Sequence, residues 1–408
     1  MKRFFLIILF FFTACGLVFG AGSPEQGEPD WLAMNFDQIE RAARSTKVSF
    51  YMWGGSSIIN KWIDTYVTGE LKMRYEIELE RVPMDASVFV NKLLTEKQAG
   101  KERGTIDLLW INGENYKNAY EASLLFGPIT PLLPNYGKYV DEKTVEFDFG
   151  FPVNGYEVPY GRAQFVFEYD SARIKDPPDT FEKLLLWVKQ NPGRFTYPQP
   201  PDFTGSAFIR QVFYALTGGH EQYLTGWDKE LFQRKSRLLW DYFNEMKPYL
   251  WQKGKTYPKD VASLDTLFAR GEVDFNMTYH QAHAQNAILT GQYKESVRTI
   301  VMRDGSIYNT HFTAIPFNAP NKPGALVTAN FLLSFEAQYS KNDPANWGDF
   351  TVLDLNRLSR EERELFKTLD LGQATLPVDV LAQHAVPEIR AEYLEALEKG
   401  WEEHVLRQ

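Results

Sequence analysis

The stretch Lys47-Val48-Ser49-Phe50-Tyr51-Met52-Trp53-Gly54-Gly55 decides the fold of this chain. A run rich in β-branched and aromatic side chains stops at two glycines, which predicts a strand that ends at a tight turn. Ser56 or Ser57 can then cap a helix. The residues after this cap give the helix one apolar face, formed by Ile58, Ile59, Trp62 and Tyr66.

Two more strands are predicted after the first, at residues 75–82 and 105–111, with an amphipathic helix between them. This β-α-β-α-β order predicts a parallel sheet with helices on its faces. In such sheets a ligand binds just beyond the carboxyl ends of the strands. The polar turn Asn112-Gly113-Glu114-Asn115 follows the third strand. We therefore expect this turn to lie at the same sheet edge as Trp53.

A second α/β unit is predicted to follow the first. Its predicted elements, in order, are a long strand at 160–169, a helix at 181–190, a short strand at 195–198, a helix that starts at Thr204, a helix at 234–246 and a strand at 274–279. No low-complexity linker or block of charges separates the two units. We therefore expect the chain to cross between them more than once.

The first residues predict export from the cytoplasm. Lys2 and Arg3 precede an apolar run that ends in small residues. This is the pattern of a secretory signal peptide, here residues 1–20, with cleavage before Ala21. Two alternatives stay open, an uncleaved membrane anchor and a lipoprotein modified at Cys15. The predicted location is the periplasm, with or without a lipid anchor at Cys15.

The composition excludes several classes of protein. The chain has one cysteine in 408 residues and a net charge of -9. If Cys15 leaves with the signal peptide, no disulfide, zinc–thiolate site or cysteine nucleophile is possible. The acidic balance argues against nucleic acid and anionic lipid surfaces as partners. No GxSxG, HExxH or phosphate-loop motif is present in the sequence. We predict that the chain is not an enzyme, has no cofactor and binds no metal, and that it is a monomer.

Several motifs resemble those of a known family and occur in the expected order along nearly the whole chain. They are Trp53-Gly54-Gly55, DLLWINGEN at residues 107–115, TYPQPPDFTG at 196–205, AHAQ at 282–285, ANFLLS at 329–334 and WGD at 347–349. The chain resembles the periplasmic solute-binding proteins of ABC transporters, in the group that includes thiamine, polyamine and ferric-iron binders. Within that group it is similar to the YnjB-type branch.

The resemblance implies an α/β, two-lobed periplasmic-binding-protein fold of type II, with strands that cross the hinge between the lobes. It implies lobe 1 at residues 27–160 plus 310–345 and lobe 2 at residues 161–309. Residues 346–408 would be a C-terminal helical segment, which is not assigned to a lobe. The implied function is extracytoplasmic capture of a small solute and its delivery to the permease subunits of an ABC importer.

The first candidate ligand-binding residues lie at the end of the first predicted strand. Gly54 and Gly55 permit close approach of the backbone, and the N–H groups of the helix that starts near Ser56 could bind an anion or a carbonyl. An ordinary tight turn is the alternative. Trp53 and Trp110 end two parallel strands and could offer flat walls to a ring or a cation. Core packing is the alternative for both.

The polar turn after the third strand supplies three more candidates. Glu114 could balance a cationic ligand, and the alternative is a solvated loop carboxylate. Asn112 and Asn115 either contact the ligand or hold the turn.

The second unit supplies Asp202, Thr204 and Tyr279. The resemblance implies that the loop around Asp202 faces the cleft, where its carboxylate would complete a clamp. The alternative is that Asp202 caps the helix that starts at Thr204. Tyr279 ends a strand and offers a further π face.

The predicted ligand is a neutral or cationic organic molecule. The loops assigned to the cleft, at residues 53–60, 112–115 and 198–205, contain no Arg or Lys. A strongly anionic ligand normally calls for one of these residues. Glu114 and Asp202 would instead bring negative charge from opposite lobes.

Two other functions stay open at this point. A secreted hydrolase acting on carbohydrate would also use aromatic side chains and paired carboxylates. A metal-capture protein could use His280 and His283, whose spacing places both on one face of a helix.

Overall fold

The computed structural model describes residues 29–407. The predicted signal peptide and Cys15 lie outside these residues. Among the helices in the described range, none is both long enough and apolar enough to span a bilayer.

The strands of the described range fall into three sheets. In chain order they are β1 (Lys47–Met52), β2 (Glu78–Pro83), β3 (Leu108–Ile111), β4 (Leu125–Phe126), β5 (Phe147–Asp148), β6 (Phe151–Pro152), β7 (Val158–Gln164), β8 (Val166–Asp170), β9 (Phe275–Thr278), β10 (Val297–Ile300), β11 (Ser306–Pro316) and β12 (Ala385–Val386).

Helices cover and connect these sheets. In chain order they are α1 (Phe36–Ala43), α2 (Ser57–Lys61), α3 (Thr68–Tyr75), α4 (Ala86–Gln98), α5 (Gly113–Glu121), α6 (Pro134–Tyr139), α7 (Phe181–Gln190), α8 (Phe203–Thr217), α9 (Lys229–Met246), α10 (Val261–Ala269), α11 (His283–Leu289), α12 (Lys322–Leu332), α13 (Phe335–Asn342), α14 (Arg360–Lys367), α15 (Val378–Gln383) and α16 (Ala391–Trp401). A π-helical segment, Trp62–Val67, joins α2 to α3.

The large sheet has the strand order β12-β11-β3-β1-β2, and β4 and β7 also pair with β11. β1 runs parallel to both β2 and β3, as the sequence predicts. β11 returns antiparallel to β3 and β7. The sheet is therefore mixed. β11 comes from a later part of the chain, so the β-α-β pattern of the first unit could not predict it.

Three predicted boundaries in the first unit were wrong. The strand predicted at 75–82 begins at Glu78, because α3 runs to Tyr75 and ends at Glu76 in the left-handed conformation, with φ of 60°. The strand predicted at 105–111 is confined to β3. The polar turn at 112–115 is instead the start of α5, because Asn112 is extended and the helix begins at Gly113.

The small sheet has the order β10-β8-β9 and is antiparallel throughout. The expectation that the second unit repeats the parallel pattern was therefore wrong. The strand predicted at 195–198 is also absent from this sheet, and these residues form a buried irregular segment. The Trp251 N–H donates to the Phe195 carbonyl at 2.8 Å, so part of the segment's backbone is satisfied by a neighbouring loop.

The chain crosses directly between the two sheets. The long strand predicted at 160–169 is two strands, β7 in the large sheet and β8 in the small one, with only Phe165 between them. β11 returns beside β7, close to where the sequence predicts a return. β7, which leads into β8, and β11 together form the structural link between the sheets.

Two main apolar cores lie on either side of this link, and a small cluster of Val166, Val301 and Leu381 lies apart from them. The first core is built from residues between Ile39 and Tyr160 and between Phe312 and Leu358, which form two clusters around the large sheet, one of them with Tyr116 and Ala119 of α5. The second is built from Phe149, residues between Phe165 and Ile307, and residues between Ala374 and Val405. The C-terminal segment, which the sequence leaves unassigned, therefore contributes to both cores. The lobe boundaries themselves stay a prediction.

Candidate ligand-binding site

A fully buried arginine on α8 is the centre of the candidate site. Arg210 has no exposed surface. Its Nε and Nη2 donate to Oε2 and Oε1 of Glu388, each at 3.0 Å. Nη2 also donates to the Tyr279 hydroxyl at 3.2 Å, and that hydroxyl donates to Glu388. Burial disfavours the charged guanidinium, but the Glu388 carboxylate more than offsets this and raises the pKa of Arg210.

Aromatic rings surround the guanidinium. Its central carbon lies 5.5 Å from the centroid of Phe149 and 5.8 Å from that of Phe203. The Phe203 ring contacts Tyr279 at a centroid distance of 5.0 Å. Phe203 is nevertheless 41% exposed, so an aromatic face remains accessible at the edge of the cluster. These contacts place cation–π interactions next to an open apolar surface.

Glu114 approaches this group from the first core. It lies in the first turn of α5, and α5 packs beside α16, which belongs to the second core. Asn115 donates to Oε1 of Glu114 at 2.8 Å. Burial and the nearby charges of Glu398 and Glu388 raise the pKa of Glu114 to about 7.

Glu398 lies on α16 and completes a group of three carboxylates. The Ser206 hydroxyl donates to Oε1 of Glu398 at 2.5 Å. Burial raises the pKa of Glu398 as well. Glu114, Glu388 and Glu398 are called the carboxylate cluster below. One arginine, Arg210, faces all three of them from α8.

The hairpin of β5 and β6 joins the two cores at the site. Phe149, at the tip of the hairpin, is buried in the second core. The preceding residue, Asp148, accepts a hydrogen bond from the Gly113 N–H at the start of α5. A Cβ atom on Gly113 would lie 3.2 Å from the Phe149 ring, and its φ of +61° is a conformation that glycine adopts at low cost. The start of α5 is therefore fixed against the second core.

The residues predicted at the end of β1 lie at the expected sheet edge but contact one another. β1 and β3 are parallel neighbours, so Trp53, which follows β1, lies beside the start of α5, which follows β3. Trp53 is 39% exposed, and a Cβ atom on Gly55 would overlap its indole. Ser56 caps α2 by accepting from the Ile59 N–H at 3.5 Å. Gly54 packs against the neighbouring strand β2.

Trp110 and Asn112 hold β3 to β11. The Trp110 ring packs against His311 and Tyr160, with centroid distances of 4.9 and 5.5 Å. Its Nε1 donates to Oδ1 of Asn112 at 3.0 Å, and the Asn112 amide donates to the Thr310 carbonyl. The side chains of both residues are therefore engaged within the protein.

Asp202 and Thr204 form the start of α8. Oδ1 of Asp202 accepts from the N–H groups of Thr204 and Gly205, at 3.0 and 2.9 Å. Its Oδ2 accepts from the Val261 N–H at 3.3 Å, which ties α8 to α10. Burial raises the pKa of Asp202 to about 6. The geometry is that of a helix cap, the alternative weighed for Asp202 in the sequence.

Five residues of the site were missed in the sequence: Phe149, Phe203, Arg210, Glu388 and Glu398. The loops assigned to the cleft do lack Arg and Lys. The inference that the site has no basic side chain was incomplete, because Arg210 comes from the interior of α8. One signal for it exists, since Arg210 and Gln211 interrupt an otherwise apolar run from Ala207 to Phe213. A charged residue in such a run is buried only when it is paired.

The histidines weighed as metal ligands make structural contacts. His283 Nδ1 lies 3.0 Å from Oε1 of Glu168; burial disfavours its charge, but Glu168 raises the pKa of His283 to about 9. His280 Nε2 lies 2.5 Å from the Trp347 carbonyl. Among residues 29–407, no group of three or more His, Cys, Asp or Glu side chains is placed to hold a metal ion.

Comparison with known proteins assigns the chain to a family. Residues 68–343 match the family model described as bacterial extracellular solute-binding protein. The chain is also 40% identical to Protein YnjB of Escherichia coli strain K12 over 372 residues, which is 90% of this chain and 93% of that protein. The chain belongs to the bacterial extracellular solute-binding protein family. This agrees with the resemblance seen in the motifs.

Solved structures show the same fold at low sequence identity. The periplasmic binding protein AfuA from Actinobacillus pleuropneumoniae, with fructose-6-phosphate bound, gives a TM-score of 0.62 at 15% identity, over 88% of this chain and 98% of that one. A putative spermidine/putrescine ABC transporter from Listeria monocytogenes gives 0.61 at 17% identity, over 89% and 99%. The two-lobed periplasmic-binding-protein fold is thereby confirmed.

Family and fold together define an extracellular solute-binding protein. This confirms the capture of a small solute, the first part of the function predicted from the sequence. The family and its structural neighbours are transport binding proteins rather than enzymes.

Proposed function

We propose that this protein captures a cationic organic solute in the periplasm and passes it to the permease subunits of an ABC importer, as a monomer and without catalysis. The observation that carries the proposal is the carboxylate cluster. Three buried or partly buried carboxylates converge on one guanidinium, and they come from both sides of the link between the cores.

The charge balance of the cluster favours a positive ligand. Arg210 neutralises Glu388 through a bidentate ion pair. Among the described residues, Glu114 and Glu398 form no ion pair with a basic residue, and the charge of one acts on the other. After burial, the charge of Glu398 is the main cause of the raised pKa of Glu114, so the two carboxylates repel each other when both are ionised. A cation between them turns this repulsion into attraction, so it favours the arrangement in which α5 and α16 meet.

The aromatic side chains favour an organic cation over a bare ion. Phe149, Phe203 and Tyr279 lie together near the guanidinium, and Phe203 keeps an accessible face. A cation over such a ring gains about 1–2 kcal/mol when it is desolvated.

The residues predicted from the sequence divide into two groups under this proposal. Glu114, Asn115 and Tyr279 belong to the ligand site. The others support it or line the sheet edge beside it, and they are Trp53, Gly54, Gly55, Ser56, Trp110, Asn112, Asp202 and Thr204.

A thermal-shift panel tests the proposed ligand class. The cations are putrescine, spermidine, choline and thiamine, and the anions are inorganic phosphate, fructose-6-phosphate and citrate. We expect at least one of the cations to raise the melting temperature and the anions to leave it unchanged, because only a cation relieves the repulsion in the carboxylate cluster. Stabilisation by an anion alone would refute the proposal.

A matched pair of variants then locates the effect. Glu114→Gln removes a charge of the cluster, whereas Glu121→Gln removes an exposed charge from the same helix. Loss of a charge-assisted hydrogen bond costs about 1.5–3 kcal/mol, which is roughly ten- to a hundredfold in affinity. Calorimetry with the best cation of the panel should show this loss for Glu114→Gln and no loss for Glu121→Gln. Equal affinities for the two variants would place the ligand elsewhere.

A further inference from the structure

We propose that the solute carries, besides its positive group, a neutral oxygen acceptor that takes a hydrogen bond from Nη1 of Arg210. This inference rests on the proposed function, because it adds a second subsite to the same site. It concerns the chemical class of the ligand and predicts a molecule with a cationic nitrogen at one end and a carbonyl or amide oxygen at the other.

The guanidinium has one donor group that the protein leaves unused. Nη1 of Arg210 is buried and makes no hydrogen bond with any residue of the described range. Buried donors are nearly always paired, and an unpaired one on a charged group is costly. The missing partner is therefore an atom that the protein itself does not supply.

The orientation of Nη1 follows from the pairing of the other nitrogens. Nε and Nη2 form one edge of the planar guanidinium, and both donate to Glu388. Because the guanidinium is a rigid fork, Nη1 must point away from that carboxylate. The Tyr279 hydroxyl also bonds Nη2 and Glu388, so the pair cannot rotate without breaking several hydrogen bonds.

The surroundings of Arg210 favour a ligand atom in this place. The rings of Phe149 and Phe203 lie within 6 Å of the guanidinium carbon and offer no acceptor to Nη1. Glu114 and Glu398 act on Arg210 through their charge, and within residues 29–407 neither makes a hydrogen bond to it. Nη1 belongs to the guanidinium that the three carboxylates surround, so an acceptor bound to Nη1 would lie beside the carboxylate cluster.

The charge of the cluster decides the kind of acceptor. Glu388 already neutralises Arg210, and Glu114 and Glu398 add further negative charge. A ligand carboxylate at Nη1 would bring a fourth negative group into this space. A carbonyl or amide oxygen accepts the same hydrogen bond without that repulsion. We therefore expect a neutral acceptor to be preferred over an anionic one.

Two sets of size-matched probes test the subsite by calorimetry on the full mature protein. The flexible set is γ-aminobutyramide, γ-aminobutyrate and isohexylamine, and the ring set is para-aminomethylbenzamide, para-aminomethylbenzoate and para-isopropylbenzylamine. In at least one set, we expect the amide to bind about tenfold more tightly than the apolar isostere and more tightly than the carboxylate. Equal affinity of the amide and the isostere in both sets would overturn the inference.

A conservative variant shows whether Nη1 is the donor. Arg210→Lys keeps a positive charge beside Glu388 but removes the second N–H group of the guanidinium. The amide and the apolar isostere should then bind this variant with about equal affinity. Glu121→Gln is the control, because it changes an exposed charge on α5 and leaves Arg210 and its pair with Glu388 in place, and it should keep the preference. A preference that persists in Arg210→Lys would overturn the assignment. If that variant does not fold, the comparison of probes on the natural protein still decides.

The two proposals fail in different ways. If none of the amines, with or without an acceptor, binds while an anion does, the proposed cationic function fails. If the amines bind with no preference for the amide, only the acceptor subsite fails.

Discussion

At the scale of single residues, the most unusual group outside the site is Glu157. Its side chain is fully buried, near Tyr116 of α5, and neither carboxyl oxygen has a hydrogen-bond partner within the described residues. Burial raises the pKa of Glu157 well above its ordinary value, and the charge of Asp148 adds to the effect. The neutral, protonated carboxyl is therefore the form that the fold accommodates.

Glu157→Gln should change how stability depends on pH. Because the folded-state pKa of Glu157 is raised, its stabilising contribution is fully present below the unfolded-state pKa of about 4.3 and is lost as pH rises through the folded-state pKa. The variant lacks this loss. Its free energy of unfolding relative to the natural protein should rise by about 1–3 kcal/mol between pH 5 and pH 8, measured by urea denaturation.

The exposed Glu146 provides the control for this measurement. Glu146→Gln removes a carboxylate from the same region of the chain without a buried group. The free energy of unfolding of this variant should equal that of the natural protein at both pH 5 and pH 8. A pH-independent difference for Glu157→Gln would show that the carboxyl ionises freely in the folded protein.

Asp202 tests whether a residue predicted to bind ligand acts as a cap. Asp202→Ala removes the acceptor of two N–H groups at the start of α8 and should lower the free energy of unfolding by about 1 kcal/mol. Asp202→Asn keeps an acceptor and should cost less. Both variants should bind the best cation of the panel with nearly natural affinity, measured by calorimetry. A tenfold weakening in Asp202→Asn would instead restore Asp202 to the ligand site.

At the scale of elements, the crossing strands are held by a buried ionic group. Asp349 accepts from Lys341 Nζ at 2.6 Å, and His311 Nε2 lies 3.1 Å from its other oxygen. Lys341 and Asp349 are almost fully buried, and they pack directly onto Gly161 of β7. The absence of a side chain at Gly161 is what lets this group lie against the strand.

Gly161→Ala should destabilise the protein. The added Cβ atom would overlap the Asp349 carboxylate and the Lys341 ammonium, which cannot move without losing their pairing. We expect a loss of about 1–3 kcal/mol in the free energy of unfolding, measured by urea denaturation. Gly137→Ala is the control, because a Cβ atom there meets nothing within 4 Å in α6, and it should be neutral or stabilising. Equal effects of the two changes would mean that the ionic group adjusts freely.

The elements that local pattern determines were the ones predicted well. β1, the cap at Ser56 and α7 follow from propensity and capping residues within a few positions of one another. β11 enters the large sheet antiparallel from a distant part of the chain, so no local period predicts its partner. The antiparallel small sheet escaped prediction for the same reason.

At the scale of the whole molecule, the site exists because distant segments meet. Glu114 and Tyr279 could be selected from the sequence because each lies at the end of a predicted strand. Arg210 lies inside a helix, and Glu388 and Glu398 lie in the C-terminal segment, whose place in the fold could not be predicted. These residues acquire their role only when α8, α16 and α5 pack together. Sequence pattern therefore selected Glu114 as a candidate but not the group that surrounds it.

Binding of a cation should depend on pH through this packing. Burial, Glu398 and Glu388 raise the pKa of Glu114 to about 7, Arg210 opposes them, and Asp148 lies nearby on the hairpin. A cation prefers the ionised carboxylate, so affinity should be highest above pH 7 and fall about tenfold from pH 8 to pH 6. Calorimetry with the best cation of the panel measures this. Glu114→Gln should remove most of the dependence, and a natural protein with flat affinity would contradict the role of Glu114.

The most direct test of a cationic solute between the two cores is to identify what the protein carries. The mature protein would be purified from the periplasm without refolding and denatured, and the released small molecule would be identified by mass spectrometry and its elemental composition. We predict an organic molecule with a positively charged nitrogen, present in an amount comparable to the protein. Recovery of a phosphate ester, a sulfate, a dicarboxylate or a metal ion in that amount would contradict the account.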